Sequence, residues 1–344
     1  MRFPSPTRLV RQVGGAATAL ALALTLTPGL TAGASAAPAP ARKAAVASPR
    51  TCTHAAHDVT QVPKLSKMVG RSYECVLVFN DAAISWRGVS DPWFIVHNDP
   101  KYRWDRWVQA KKGRQLVIAQ SLIPANAPAN WRSRGAKGQY DAVFRRLGKN
   151  LVKAGLGGSV IRLAHEGNGD WFRHRAGTSR KQQKAWARYW ARAARVLKAT
   201  PGSRFTLDLT VAAGSPVLPL AYWYPGDKAV DVIGADFYDR VLPGQPSRGA
   251  ARWRFQRTQR GGLDDLAAFA RAHKKRLSIP EWGLAARNVG GSGDDPAYIR
   301  DMIAFARANK VLYMGYWNSP GPSHLKNNPR SLREYRRLVR NARF

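Results

Sequence analysis

Seven short apolar, β-branched runs recur along this chain: "ECVLVFN" (74–80), "RQLVIAQSLI" (114–123), "SVIRLAHE" (159–166), "RFTLDLTV" (204–211), "VDVIGADFY" (230–238), "RLSIPEW" (276–282) and "VLYMGYW" (311–317). Most are separated by segments of helical periodicity, from Gln139 to Ala154, Lys181 to Ala199, Leu263 to Lys275 and Asp295 to Asn309, with a last one from Ser331. Asp295 is a natural cap for the fourth, with Pro296 at its first position. Repeated strand–helix units put strands parallel and cover them with helices, because each crossover must bring the chain back to the same end of the sheet. The expected fold is therefore α/β, a closed (β/α)8 TIM barrel. Its eighth strand would lie before Cys75, where "CTHAAHDVTQV" gives only a weak signal. An open doubly wound sheet is the alternative, but no G-x-G-x-x-G follows an early strand, which counts against its nucleotide-binding form.

The chain divides into three parts. A basic head (Arg2, Arg8, Arg11), the apolar "AATALALALTL" and Ala34-Ser35-Ala36 read as a secretory signal peptide over residues 1–36. The apolar core is broken by Pro28 and Gly29, too short for a membrane anchor. Residues 37–51 read as a flexible Ala/Pro leader, and 52–344 as one catalytic barrel. In a secreted chain, Cys52 and Cys75 are expected to form one disulfide. Two free thiols, or a metal set from Cys52, His54 and His57, are the other readings, and the metal set lacks a fourth ligand.

Charge is the outstanding compositional feature, with 56 Lys and Arg against 21 Asp and Glu, a formal +35. Such a surface attracts polyanions, although the cations are spread along the chain rather than gathered in a tail. In "KQQKAWARYWARAARVLK", Trp186, Tyr189, Trp190, Ala193 and Leu197 recur at three- and four-residue steps, so the aromatics belong to the core. Lys181, Lys184, Arg188, Arg192 and Arg195 form a separate basic stripe toward solvent.

Ionisable groups close several apolar runs: Glu166 after "SVIRLAH", Glu281 after "RLSIP", and Asp236, Tyr238 and Asp239 in "GADFYD". In parallel barrels the active site is built at the carboxyl ends of the strands. One carboxylate at a strand end is usually a surface or ion-paired residue, but two, with a Tyr and several Trp beside them, suit glycoside hydrolysis. "HEGNG" lacks the second His of a zinc-protease helix, since Gly169 stands there, and neither a G-x-S-x-G elbow nor a P-loop is present.

The stretch Arg162, His165, Glu166, Asn168, Gly169 and Trp171 resembles the R-x-x-H-E-x-N-G-x-W strand of glycoside hydrolase family 26, the retaining β-mannanases of the large barrel clan. "SIPEWG" is similar to its nucleophile strand, and "YPGDKAVDVIGADFYD" to its Y-P-G-D…V-D-x-x-G…Y block. The resemblance spans about Lys64 to Val339. It implies a secreted endo-acting enzyme with Glu166 as acid/base and Glu281 as nucleophile, and with Arg162, His165, Asn168, Trp171, Tyr238, Trp282 and Trp317 as substrate-binding or orienting residues. Family members commonly carry a Trp at the end of the fifth strand, where this chain reads "TVAAGSP". No metal or organic cofactor is expected, and a monomer acting on a polysaccharide is. The alternatives are a glycan- or polyanion-binding barrel with weak or no catalysis, a secreted protein whose main partner is nucleic acid or wall polyanion, and a hydrolase of an acidic or wall-associated polysaccharide.

Overall fold

A computed structural model describes residues 49–340 apart from 215–217 and 248. The signal-like segment and nearly all of the leader lie outside the described residues. Eight parallel strands, β1 (Arg50–His54), β2 (Cys75–Asn80), β3 (Gln115–Gln120), β4 (Val160–Leu163), β5 (Thr206–Ala212), β6 (Val232–Tyr238), β7 (Arg276–Gly283) and β8 (Tyr313–Tyr316), pair in chain order and close into a barrel. The chain is thus a (β/α)8 barrel, and the doubly wound alternative is excluded. The weakly signalled strand is β1, "RTCTH". Arg50 and Thr51, read above as the end of the leader, already pair with Tyr313 and Met314 of β8.

The helices are α1 (Gln61–Val69), α2 (Trp86–Ser90), α3 (Trp93–Val96), α4 (Trp104–Gln109), α5 (Trp131–Ala136), α6 (Asp141–Lys153), α7 (Arg180–Lys198), α8 (Gly249–Thr258), α9 (Leu263–Ala272), α10 (Pro296–Ala308) and α11 (Pro329–Arg340). Their apolar faces and the outward face of the strands make one continuous core. α7 starts with a capping box, the Ser179 hydroxyl accepting from Gln182 N–H and the Gln182 side chain reaching back. Its aromatics are buried as their spacing requires, and each donates to a carbonyl near the barrel mouth at 2.7 Å: Trp190 Nε1 to Leu163, Trp186 Nε1 to His174 and Tyr189 Oη to Leu122. Those carbonyls lie at or beyond the ends of β3 and β4, so the helix fixes the loops that carry the site.

Cys52 and Cys75 are bridged, with Cα atoms 4.5 Å apart. The register Thr53↔Val76 makes them cross-strand neighbours at the base of β1 and β2. Closing this loop is worth about 3 kcal/mol in the chain-entropy model. The bridge also withdraws Cys52 from the metal reading of "CTHAAH".

Candidate active site

The acid-bearing strand stops sooner than its apolar run suggests. β4 ends at Leu163, and the chain turns through Ala164 (φ 49°) and Glu166 (φ 50°), a left-handed conformation that costs a residue with a Cβ about 1–2 kcal/mol. Neighbouring strands hold the turn: Ala164 N–H donates to Gln120 O at 2.7 Å and Glu166 N–H to Thr210 O at 2.9 Å. The Glu166 carboxyl is thereby raised to the mouth, where Trp171 Nε1 donates to its Oε2 at 2.6 Å. This contact needs Gly169, because a Cβ there would stand 2.4 Å from the Trp171 ring.

The opposite wall is built on an irregularity. The β6–β7 register shifts between Gly234 and Phe237, and the β7–β8 register between Ile279 and Trp282, so Asp236 and Glu281 both sit where the ladder is broken. Such shifts re-aim side chains. The Glu281 N–H donates to Asp236 Oδ1 at 2.9 Å, and a side chain so replaces the missing ladder acceptor. Arg162, fully buried on β4, reaches across beneath the mouth. It donates from Nη1 to Glu281 Oε1 at 2.7 Å and from Nε to Thr210 Oγ1 at 3.1 Å, and its Nη2 contacts Asp236 Oδ2. Tyr238 Oη donates to the other oxygen of Glu281 at 3.0 Å. Both oxygens of Glu281 are therefore held in place. Below this layer, Asp208 accepts from Thr210, Ser278 and Tyr313.

Glu166, Asp236 and Glu281 each bring a carboxylate oxygen within 4.8 Å of the other two. The electrostatic consequences differ. Burial first, then the charge of Glu281, raises Glu166 to about 7, against the hydrogen bond from Trp171 and the charge of Arg162. Burial pushes Asp236 up, its contact with Arg162 pulls it down, and the two glutamates push it up again. For Arg162, burial opposes the charge, but Asp236 and Glu281 outweigh it and hold the guanidinium above its ordinary value. These three carboxylates are the set among the described residues that could hold a cation, and Arg162 already stands against two of them as a fixed positive charge.

The other expected residues separate into those that face the mouth and those that do not. His165 is buried, with Nε2 3.7 Å from Asp81 Oδ2, and burial followed by the charge of Arg162 keeps it neutral. Trp317 is half-buried at the rim and stacks on His54, the last residue of β1, with centroids 4.2 Å apart and planes 4° from parallel. His54 enters the sequence reading only through the alternative metal set and Asp236 only as a strand-end group, while Phe79 and Asp81 carry no motif that marks them as site residues. One expectation needs correction. Trp282 does not line the cleft: it is 0% exposed and packs with Tyr298, Tyr316 and Tyr335, because on a strand it points away from the face that carries its neighbour Glu281. Asn168 is half-buried, and its amide is engaged with backbone. Its Nδ2 donates to Ala212 O at 2.9 Å and its Oδ1 accepts from Ala212 N–H at 3.0 Å, which ties the β4 loop to the end of β5.

Beside Glu166 lies an open cavity of about 540 Å³ walled by Trp171, Ala212–Gly214, Tyr238, Arg240, Gln245 and Gln259. Ala212–Gly214 fall in the fifth-strand stretch that lacks the Trp, and their small side chains leave this space open.

The Glycosyl hydrolase family 26 model matches residues 138–249, which contain Arg162, Glu166, Trp171 and Tyr238. Among solved structures, a family 26 β-mannanase from Bacteroides ovatus is 14% identical, with a TM-score of 0.57 over 86% of this chain and 89% of that one. A modular endo-β-1,4-mannanase from Cellulomonas fimi is 15% identical, with a TM-score of 0.59 over 85% and 70%. The YdhT protein from Bacillus subtilis is 14% identical, with a TM-score of 0.58 over 88% and 87%. At these identities the likeness is one of fold. No curated protein matches the chain.

Proposed function

Taking as premise a glycoside hydrolase whose sequence matches family 26, we propose that this chain is a retaining endo-β-mannanase working by double displacement. The observation that carries the mechanism is the short approach of Glu166 and Glu281, with oxygens within 4.8 Å. Retaining enzymes hold their two carboxyl groups roughly 5–5.5 Å apart, whereas inverting ones leave ~6.5–9.5 Å for a water. Glu281 Oε attacks the anomeric carbon as the bond from that carbon to the glycosidic oxygen breaks, and the leaving oxygen takes the proton of Glu166. Water then attacks the same carbon, Glu166 accepts the water's proton, and the bond to Glu281 breaks with configuration restored. Arg162 and Tyr238 hold the nucleophile against rotation. His165 and Trp317 present a neutral imidazole and an aromatic face to the sugar. The N-terminal pattern supports export of the chain.

A second reading, hydrolysis of an acidic β-glycan, is favoured by Arg240, whose cation lines the cavity beside the acid. One experiment separates the readings. The purified protein is offered β-mannan, glucomannan, other neutral β-glycans and acidic β-glycans, and the anomer first released is followed by proton NMR. Short β-configured manno-oligosaccharides appearing early agree with the proposal. An initial α-anomer overturns the mechanism, and cleavage restricted to acidic glycans overturns the substrate.

A further inference from the structure

The catalytic cleft does not account for the charge on the outside of the barrel. Residues 131–153 and 180–198, which form α5, α6 and α7, contain seven cations each and a single carboxylate, Asp141. α6 and α5 both pack against α7, so these are neighbouring ridges of one surface. The carboxylates that reach it are already engaged: Asp141 with Arg192 at 2.8 Å, Asp91 with Arg146 at 2.7 Å and Asp231 with Lys198 at 2.6 Å. Arg192 therefore leaves the free stripe expected from the sequence. Arg145 and Lys149 on α6, with Lys181, Lys184, Arg188 and Arg195 on α7, are exposed and have no carboxylate partner among the described residues.

Their arrangement is linear. Positions 181, 184, 188 and 195 follow the three- and four-residue steps of one helix face, and they extend over about 21 Å of axis. α7 follows the loop that carries Glu166 and Trp171, so the stripe starts at the mouth side of the barrel and descends from it. The aromatics of α7 are buried against the core, and the exposed ring beside its start, Tyr222, has a face covered by the Arg180 guanidinium 3.6 Å from its centroid, so the stripe carries no row of rings on which successive bases could stack. The Cβ atoms of 181, 184 and 188 stand ~5–6 Å apart from one to the next, comparable to the length of one sugar residue, and Arg195 follows two turns on, about 10.5 Å along the axis.

We propose that the α6–α7 face is a docking surface for a linear acidic polysaccharide, held by charge along a stripe that descends from the mouth side of the barrel. The inference rests on the polysaccharide reading above only for the class of polymer. The test uses the purified protein with heparin as the acidic polysaccharide, a DNA duplex of matched charge and a neutral mannan. Two triple reversals are compared. One is Lys184→Glu/Arg188→Glu/Arg195→Glu, and the other is Lys64→Glu/Lys310→Glu/Arg333→Glu, on exposed positions across the barrel with the same change in net charge.

The α7 variant is expected to lose at least ~10-fold in heparin affinity, and the slope of log K against log salt should fall by about two. The distant variant should lose no more than about threefold. Hydrolysis of a short uncharged aryl glycoside should stay within twofold in both. Equal losses in the two variants, tighter binding of DNA than of heparin, or an α7 variant that binds as before would each overturn the proposal. Loss of short-substrate turnover matching the loss of binding would also overturn it, by making the stripe structural. If the unaltered protein turns over nothing, that result counts against the catalytic assignment alone, since binding is read separately.

Discussion

Replacing Glu166 with Gln should destroy hydrolysis and yet stabilise the protein, by an amount set by pH. In the fold the carboxyl is raised from its ordinary 4.5 to about 7, chiefly by burial and then by the charge of Glu281. That difference corresponds to about 3 kcal/mol disfavouring the ionised form in the folded protein. The sign follows from linkage. Below pH 4.5 the group is protonated both folded and unfolded, and Gln and Glu should be nearly equal. Between 4.5 and 7 the unfolded chain releases a proton that the folded one keeps, so the native protein loses stability at up to ~1.4 kcal/mol per pH unit as pH rises. Above 7 the full cost is present, and Glu166→Gln, which mimics the protonated form, avoids it. The variant should therefore gain about 3 kcal/mol at pH 8, seen as a melting temperature higher by roughly 6 °C for a domain of this size, and almost nothing at pH 4. Paired thermal or denaturant unfolding at pH 4, 5, 6, 7 and 8 reads the difference directly. A difference that stays flat across this range would refute the reasoning, because Glu166 would then not be held protonated by its surroundings. The same value places the fall in kcat/KM of the unaltered enzyme near pH 7 on the alkaline side.

Gly169→Ala should drive the Trp171 ring off Glu166, since the new Cβ would stand 2.4 Å from it; kcat should fall more than tenfold with little change in melting temperature, as steady-state kinetics and calorimetry would show. Trp282→Ala and Trp171→Ala should behave oppositely, the first losing about 3–5 kcal/mol of stability because it empties a fully buried site, the second losing activity but under ~1 kcal/mol because Trp171 is 50% exposed. Denaturant unfolding and kinetics on both variants check the contrast. Cys75→Ser should lower stability by about 3 kcal/mol with kcat unchanged, since the bridge lies at the base of β1 and β2, away from the mouth.

Much of the fold is local physics and could be read directly. The period of each apolar run decides strand or helix, and alternation of the two decides the barrel. β1 was hard to see because "RTCTH" holds no large apolar residue; its stability comes from pairing with β2 and β8 and from the disulfide. Glu166, Glu281 and Tyr238 were legible because they end apolar runs. Trp282 adjoins Glu281 in sequence, which suggests a place in the cleft, but neighbours on a strand face opposite ways and it is buried. Asn168 has the residue type of a ligand contact, and the structure adds what its type does not tell, that the amide also ties the β4 loop to the β5 backbone. Asp236 could not be assigned its place at all, since that depends on register shifts between β6, β7 and β8, and no local pattern encodes a shift. The same holds for His54, which becomes the backing of Trp317 only when β8 closes onto β1.

The closeness of the two glutamates matters beyond positioning, because it lets one residue serve as both acid and base. Glu166 is raised first by burial and second by the charge of Glu281. In the proposed mechanism Glu281 loses that charge when its oxygen bonds to the anomeric carbon. One of the two causes that keep Glu166 protonated then vanishes just as the proton has been given to the leaving group, while Arg162, whose attraction opposes them, stays in place. Glu166 is left as a carboxylate in surroundings that now tolerate it, and it can accept the proton of the attacking water. When the bond to Glu281 breaks, its charge returns and raises Glu166 again, ready for the next bond. A pair much farther apart would lose this coupling, and Glu166 would keep one affinity for its proton through both halves of the cycle. The broken ladder at β6 and β7, with Asp236 accepting the stray N–H and Arg162 spanning to the nucleophile, is what brings Glu281 within 4.8 Å of the acid and makes that alternation available to a single chain.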